Sequence, residues 1–342
     1  MKDRSSLIRV SLLGWGAAVS LVAWQSSQGR QIDATSPFGV QISQQDGTLR
    51  VEIGGQPFTV YHFTDVPRPY FYPVLGPDES PMTRKWPLEE STDEEHDHPH
   101  HRGLWYAHSS VNGLDFWTET KNSCKIVHDG FLKVQSGKDY GVIKSKDKWI
   151  DHAGAVVCTD IRTMRIYNLP GDERMFDFDI TLQAPPDKPV LFGDEKDGTI
   201  ATRVAETMRL KHKEGPGQGH IVMSTGVRDD ETWGKRADWC YYYGPVSGGT
   251  NGQETLGVAI FDHPGNPRHP TNWHVRDYGL FAANPFGLSF FEKKPKGAGD
   301  MNIAAGQSVT FRYRFYYHRG DEKEAQVAEQ YQKYATEKLP PD

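Results

Sequence analysis

The chain has 342 residues with a formal net charge of −6, and 37% of its residues are hydrophobic. Nucleic acid is not an expected partner, because there is no excess of Lys and Arg to displace the counterions of a polyanion. No apolar run reaches the roughly 18 residues that each span of a multi-span membrane protein needs. Aromatic residues make up 12% of the chain, which also has 34 Gly and 22 Pro. This composition excludes intrinsic disorder and indicates a turn-rich globular protein.

The first element in chain order is a predicted export signal. Lys2, Arg4 and Arg9 precede an apolar stretch over residues 10–23, which is too short for a comfortable bilayer span. This pattern predicts a signal peptide over residues 1–29, with an uncleaved N-terminal anchor as the alternative. The mature protein is then expected to be periplasmic or secreted, with no further membrane span. Its three cysteines allow at most one disulfide.

Residues 30–342 are predicted to form a single all-β domain. Residues 49–53 and 58–63 alternate apolar and polar side chains around two glycines, as in a β-hairpin. Helical spacing is convincing only over residues 322–337. Repeated strands separated by turn signals predict a large antiparallel β-sandwich with one C-terminal helix. The other expected strands cover residues 124–134, 141–149, 155–167, 175–183, 199–210, 221–225, 239–243, 255–261, 273–275, 288–292 and 309–317.

Four histidines and one arginine crowd a short segment that could carry chemistry. In an extended conformation, His96, His98 and His100 would share one face, and His101 and Arg102 would point to opposite faces. Histidine suits acid/base work near neutral pH and also binds metals, while arginine can stabilise an oxyanion. We therefore expect His100 or His101 to be the general acid or base. Arg102 is expected to stabilise developing negative charge.

A second polar segment covers residues 262–287 and is stiffened by several prolines. Proline fixes φ and lowers the entropy cost of holding polar groups in place. His274 and Arg276 share strand parity, which places them on one face. We expect His274, Arg276 and Asp277 to belong to the catalytic group, with Arg276 on a developing oxyanion. Substrate-binding candidates in this segment are Asn266, Arg268, His269 and Asn284.

The third group consists of aromatic residues next to charged ones. Aromatic faces stack on the C–H face of a sugar, and its hydroxyls take polar partners. Trp105, Trp233 and Trp239 are therefore expected to form a sugar platform. Arg203 and Glu206 lie at an odd separation, so on a strand only one of them would point into a site. The remaining substrate-binding candidates are Arg68, His108 and Asn112.

Several motifs resemble a bacterial family labelled "methane oxygenase PmoA"-like. The motifs are Arg-Pro-Tyr-Phe-Tyr-Pro-Val-Leu-Gly at 68–76, Asp-His-Pro-His-His-Arg-Gly-Leu-Trp at 97–105, Asn-Gly-Leu-Asp-Phe-Trp at 112–117, and the block 262–287. The resemblance implies a carbohydrate-linked β protein that is similar in architecture to the galactose-mutarotase supersandwich. It does not carry over the catalytic residues of mutarotases, because their motifs have no match here.

Three functions follow as hypotheses. The first is an exported enzyme, a hydrolase, lyase or epimerase, that acts on a sugar or oligosaccharide. The second is a metal-dependent enzyme, an oxygenase or a metal-assisted lyase, with a divalent ion on His98, His100 and either His108 or His274. The third is a non-catalytic glycan-binding protein. The sequence motifs of serine hydrolases, zincins, nucleotide-binding proteins and NAD enzymes are absent, and the cofactor stays unassigned.

Overall fold

The structure is a computed structural model that describes residues 39–169, 173–249 and 252–338. The predicted signal segment over residues 1–29 lies outside the described residues. None of the helices in the described ranges has both the length and the apolar character needed to cross a bilayer.

Strands account for most of the regular structure. The first ten are β1 (Val40–Gln45), β2 (Thr48–Ile53), β3 (Gln56–His62), β4 (Tyr70–Val74), β5 (Leu104–His108), β6 (Lys125–Gln135), β7 (Tyr140–Ile150), β8 (Val156–Tyr167), β9 (Arg174–Gln183) and β10 (Val190–Phe192). The next ten are β11 (Gly198–Arg203), β12 (Lys211–His212), β13 (Gly215–Pro216), β14 (His220–Met223), β15 (Trp239–Gly249), β16 (Gly252–Asp262), β17 (Asn272–Val275), β18 (Leu280–Asn284), β19 (Met301–Ile303) and β20 (Ser308–Arg319). The helices are α1 (Leu288–Phe291) and α2 (Val327–Thr336).

Two eight-stranded sheets form a sandwich. The first sheet has the order β1-β2-β3-β4-β5-β11-β18-β17, and the second has the order β14-β15-β16-β20-β9-β8-β7-β6. Phe58 and Phe71 of the first sheet contact Phe176 of the second, with ring centroids 6.0 and 5.8 Å apart. The core therefore lies between the sheets, and the predicted all-β antiparallel sandwich is confirmed.

The outer face of the second sheet is covered by α2. Tyr331 and Tyr334 of this helix pack on Phe261, with ring centroids 5.7 and 6.0 Å away. The predicted C-terminal helix is therefore present, although it starts later than expected, after Gln326 in a left-handed conformation.

Two predicted strands have different structures. The strand predicted over residues 288–292 is wrong, because this segment forms the helical turn α1. There the backbone N–H of Ser289 donates to the Asp194 carboxylate at 3.0 Å, and the N–H of Phe291 donates to the Gly287 carbonyl at 3.0 Å. The strand predicted over 199–210 ends at Arg203, and a 3₁₀ turn follows at Glu206–Met208.

The outer face of the first sheet carries a row of four residues across four strands. Trp105 of β5 pairs with Ala201 of β11, which pairs with Ala282 of β18, which pairs with His274 of β17. The neighbouring Tyr106 stacks toward the second sheet, so the row points away from the core because side chains alternate along a strand. Sequence-distant segments are thus brought together on one face.

A glycine connects the histidine-rich segment to β5. Gly103 has φ +56°, and a Cβ atom there would lie 2.1 Å from the Phe71 carbonyl oxygen. Only glycine fits both constraints, because it has no Cβ atom.

A buried ionic network lies on the second sheet. Arg162 Nε is 3.0 Å from carboxylate oxygens of both Asp147 and Asp160, and all three side chains are almost fully buried. Trp149 Nε1 donates to Asp160 at 2.7 Å, and His128 Nδ1 lies 3.1 Å from Asp147. Burial raises the pKa of Asp160, although the charge of Arg162 opposes the shift.

The three cysteines, Cys124, Cys158 and Cys240, are buried free thiols.

Candidate functional site

The loop before the histidine-rich segment is fixed onto the first sheet by two buried arginines. Arg84 pairs with the Asp97 carboxylate, and its Nη2 donates to the carbonyls of Asp97 and His98 at 3.0 and 3.1 Å. Arg203 Nη2 donates to Asp97 Oδ1 at 2.8 Å. Both guanidinium side chains are fully buried. A single carboxylate therefore holds two buried cations and the loop above them.

Asp97 also orients the first histidine of the site. Its Oδ2 lies 3.0 Å from His98 Nδ1. Burial by itself would raise the pKa of Asp97, but the hydrogen bond from His98 and the charges of Arg203 and Arg84 outweigh it and hold that pKa well below its usual value. Asp97 is therefore an anion at neutral pH that lies in contact with the His98 ring.

Aromatic rings form a stack around His98. The centroid of this ring lies 4.9 Å from that of Tyr278, with an angle of 5° between the ring planes. It lies 4.7 Å from the centroid of His101, with an interplanar angle of 8°. His101 in turn stacks on Trp105 at 5.2 Å. The stack joins the histidine-rich segment, β5 and the residues after β17 into one layer.

The prediction that His96, His98 and His100 share one face is wrong. His96 stacks on Trp86, with ring centroids 4.0 Å apart, instead of lying with the other two. The reason is that His98 has φ +42° just before Pro99, so the chain cannot continue as an extended strand. A left-handed conformation at a residue other than glycine is strained, and such strain concentrates at functional sites.

The geometry distinguishes the two histidines predicted as acid or base. Arg203 Nη1 lies 3.2 Å from His101 Nδ1, so that nitrogen accepts a hydrogen bond in a neutral, fully buried ring. The ring of His100 is half-buried and makes no hydrogen bond to any residue that the structure describes. Burial, assisted by the charge of Arg68, lowers the pKa of His100 to about 4. His100 is therefore a neutral imidazole with a free lone pair at neutral pH.

A third histidine and a carboxylate complete this face. Burial lowers the pKa of His274 to about 4, and its Nδ1 lies 3.9 Å from Asp197 Oδ1. The negative charge of Asp197 acts on both His274 and His100, favouring the protonated form of each. Asp197 is partly exposed and pairs with Lys196 at 2.9 Å. The edge of the site therefore offers both a carboxylate and an ammonium group.

The second polar segment, residues 262–287, reaches this site through its middle part, from His274 to Tyr278. Arg276 lies over the rings of Tyr278 and Trp233, at 5.4 and 5.8 Å from their centroids. Since Tyr278 stacks on His98, the stretch from His274 to Tyr278 adjoins the histidine cluster.

Arg102 has a different partner from the one predicted. Its guanidinium makes a bidentate contact with Glu119, with Nε at 2.9 Å and Nη2 at 2.8 Å. Arg68 Nη2 lies 3.2 Å from the same carboxylate. Arg102 therefore already has a carboxylate partner within the protein, and its role in oxyanion stabilisation stays a prediction. Arg68 lies beneath Trp105, 5.8 Å from its centroid, where it supports the stack rather than a substrate.

The first part of the 262–287 block is built around a buried carboxylate. Asp262 accepts hydrogen bonds from Asn266 Nδ2 at 2.7 Å and from the backbone of Thr271 at 2.9 Å, and it pairs with His269. Arg268 donates to the carbonyls of residues 285, 299 and 300. These contacts give Asn266, Arg268 and His269 structural positions, and their substrate contacts stay a prediction.

Five further candidates also bind other parts of the protein. Asn112 Oδ1 accepts from the Leu191 backbone, and Asn284 Nδ2 donates to the carbonyls of residues 195 and 196. Trp239 packs in the cluster beneath α2, on the second sheet.

The two acidic candidates pair with cations of the protein. Glu206 pairs with Arg209, and Asp277 lies 3.8 Å from Lys211. Glu206 and Arg203 do not share a strand, so the parity argument does not apply to them.

The predicted metal ligands are not assembled. His108 lies on the core side of β5, where its Nε2 is 2.7 Å from the Gly193 carbonyl and its ring is 4.9 Å from Phe286. His98 and His100 lie on the opposite side of the sheet. Within residues 39–169, 173–249 and 252–338, no three His, Cys, Asp or Glu side chains form a group that could hold a metal ion. The predicted His98, His100 and His108 triad therefore does not fit a metal.

The ion pair of His269 predicts a pH dependence of stability. His269 Nδ1 is 2.8 Å from Asp262, and this hydrogen bond raises the pKa of His269 above 6.5. The pair's contribution is fully present below pH 6.5 and is lost as the pH rises through the raised pKa. We expect His269→Asn to lower the free energy of unfolding more at pH 6 than at pH 9, as measured by urea titration. An equal loss at both pH values would contradict this.

Sequence reasoning missed four residues of the site. Asp97 and Tyr278 lie inside the quoted motifs, and a search for a carboxylate next to a histidine would have found Asp97. Arg84 meets Asp97 only once the loop between them has folded, and Asp197 approaches His274, which lies far along the chain, so neither has a local signal.

The chain was compared with known proteins. It matches the family of unknown function DUF6807 over residues 48–332, and no curated protein matches it. Among solved structures, it is similar to a galactose mutarotase related enzyme from Lactobacillus acidophilus, with 10% identity and a TM-score of 0.28, covering 82% of this chain and 97% of that one. A polysaccharide lyase has 12% identity and a TM-score of 0.31, with 86% of this chain and 34% of that one covered.

A family 97 glycoside hydrolase from Pseudoalteromonas, solved with panose, has 8% identity and a TM-score of 0.28. The match covers 81% of this chain and 33% of that one. The chain thus spans about a third of the lyase and of the hydrolase. Because identities and TM-scores are this low, these similarities assign no chemistry to the chain.

Proposed function

We propose that this protein, which belongs to the family of unknown function DUF6807, is an exported enzyme that processes a sugar or oligosaccharide by acid/base chemistry. The observation that carries the proposal is the state of His100. Its ring is half-buried, neutral at neutral pH and free of hydrogen bonds to other described residues. Such an imidazole can accept a proton from a bound molecule.

His98 is the natural partner of His100 in proton transfer. The two rings lie 5.8 Å apart, close enough to act on one bound sugar. Asp97 holds His98 by its Nδ1, which leaves Nε2 for the substrate. A pair of histidines in different environments can divide the work of acid and base between them.

The surroundings of the two histidines support a sugar as substrate. Tyr278 and Trp233 are partly exposed aromatic side chains, and sugar C–H groups stack on aromatic rings. Asp197 and Lys196 are partly exposed and can bind hydroxyl groups.

The reaction class that fits best is elimination or epimerisation. Glycoside hydrolases generally use two carboxyl groups. Here the Asp97 carboxylate is engaged by two guanidinium groups and the Asp197 carboxylate is paired with Lys196, whereas the imidazole of His100 has no hydrogen bond to any described residue. Proton abstraction by a neutral histidine therefore favours a lyase or an epimerase over a hydrolase.

The test is the turnover of an oligosaccharide panel by wild type and His100→Gln. We expect the substitution to lower kcat by about 100-fold or more, because general base catalysis contributes roughly that much. His152→Gln is the matched control, since His152 is exposed in the turn between β7 and β8. Equal turnover by His100→Gln and wild type would refute the role of His100. Saturable glycan binding without any turnover would favour the non-catalytic hypothesis.

A further inference from the structure

Arg276 is a half-buried cation that has no anionic partner. Its guanidinium lies against Tyr278 and Trp233, and it makes no ion pair or side-chain hydrogen bond within the described residues. Taking an arginine partly out of water without a counter-ion costs free energy, so a ligand that supplies the anion would gain from binding there.

Six other arginines around the site are paired with carboxylates, whereas Arg276 is not. Asp97 and Glu119 each form ion pairs with two arginines. Glu95 and Glu206 pair with a third group, Arg209, and Glu292 pairs with Arg236. The paired residues are Arg84, Arg203, Arg68, Arg102, Arg209 and Arg236. These six arginines thus have carboxylate partners, and no carboxylate that the structure describes forms an ion pair with Arg276.

Arg276 lines a cavity of 250 Å³ together with Trp233 and three aspartates. Those carboxylates already have partners. Asp229 accepts from the Ile221 backbone at 2.9 Å, and Lys211 pairs with both Asp230 and Asp277. Arg276 is the one cationic side chain among the described residues that line this cavity, and none of the three carboxylates forms an ion pair with it. The volume lies below the roughly 300 Å³ of the smallest drug-sized sites, which suits one sugar unit.

Tyr278 connects this cation to the acid/base pair. One of its contacts is Arg276 at 5.4 Å, and another is the His98 ring, stacked at 4.9 Å. A sugar ring placed near Tyr278 could therefore set a carboxylate on Arg276 while another part of it reaches the histidines. Guanidinium groups bind carboxylates through two parallel hydrogen bonds, which would also fix the sugar's orientation.

We propose that the substrate of this site is a carboxylate-bearing sugar, a uronic acid or an oligosaccharide that contains one, with its carboxylate on Arg276. This inference rests on the proposed function for the identity of the ligand as a sugar. It assigns Arg276 to substrate binding, in place of the oxyanion stabilisation expected from its position in the sequence.

The experiment measures binding of D-glucuronate and D-galacturonate to the full chain by calorimetry, with D-glucose and D-galactose as neutral counterparts. We expect at least one uronate to bind more than about tenfold tighter than its neutral counterpart, the ratio that one charge-assisted contact supplies. Arg276→Gln should remove that preference, and Arg276→Lys should retain part of it. Arg50→Gln on β2 is the matched control and should bind as wild type does.

Equal affinity for uronates and neutral sugars, or a preference that survives in Arg276→Gln, would overturn the inference. The result is separable from that for the proposed function. Turnover of neutral oligosaccharides that depends on His100 but not on Arg276 would support the enzyme and reject the acidic substrate. Uronate binding that depends on Arg276, without any turnover, would support the acidic ligand and reject the enzyme.

Discussion

Replacing Asp97 with asparagine is expected to lower the free energy of unfolding by about 3 kcal/mol, since removing one partner of a buried ion pair costs about that much. Arg84 and Arg203 are fully buried and share this carboxylate, so the substitution leaves two cations without a counter-ion. Activity should fall as well, because His98 loses the group that orients it. Urea unfolding and turnover assays measure the two effects.

Asp93→Asn is the matched control for Asp97→Asn. Asp93 belongs to the same loop but is exposed, and its side chain contacts only Thr92 among the described residues. Substitutions at such positions usually change stability by less than about 0.5 kcal/mol.

The pH dependence of the free energy of unfolding gives a second check on Asp97. The pKa of Asp97 is held below its usual value, so its stabilisation is present above pH 3.8 and is lost as the pH falls. A wild-type stability advantage over Asp97→Asn that did not shrink in acid would count against this account.

Replacing Arg162 with methionine should have a comparable effect in the sandwich itself. Arg162 separates Asp147 and Asp160, which are both fully buried, and its loss leaves two carboxylates facing each other. Loss of one member of such a network costs about 3–5 kcal/mol. Chemical denaturation at neutral pH should show this loss, whereas Arg50→Met on β2, where the arginine is half-exposed and pairs with Glu52, should cost far less stability.

The pH dependence of the Arg162→Met variant tests the mechanism. Burial already raises the pKa of Asp160, and loss of the opposing charge of Arg162 should raise it further above the unfolded value. The folded state then gains stability as the pH falls from 7 towards 5, because it binds more protons than the unfolded state. The deficit relative to wild type should therefore shrink at pH 5. A deficit that is constant or larger at pH 5 would indicate lost packing instead of uncompensated charge.

Most of the sandwich could be predicted from local alternation. The hairpin of β2 and β3 and the long strand β20 place apolar residues at every second position, and a sheet with one buried face requires this pattern. Residues 288–292 were mispredicted because two adjacent phenylalanines resemble a buried strand. Their helical turn depends on Asp194, which lies far away in the sequence and cannot be inferred from the segment itself.

The site was predictable where its residues are neighbours in the chain. His98, His100 and His101 stand out by spacing alone, and His274 and Arg276 share a strand face. Which histidine can exchange a proton depends on Arg203, and no local pattern links Arg203 to His101. The pairing of Arg102 with Glu119 was equally hidden, because the two residues meet only after the chain folds back.

The strand order of the first sheet also has a consequence for biosynthesis. β5 follows the histidine-rich segment directly, but its sheet neighbour β11 and then β18 and β17 are translated much later, and Arg203 lies 102 residues beyond His101. Until β11 emerges from the ribosome, β5 has one unpaired edge, and an unpaired edge invites misassembly. His98 then lacks its stacking partner until Tyr278 has been made. A nascent chain that stalls before Tyr278 therefore carries all the histidines of the first segment but cannot yet build the site.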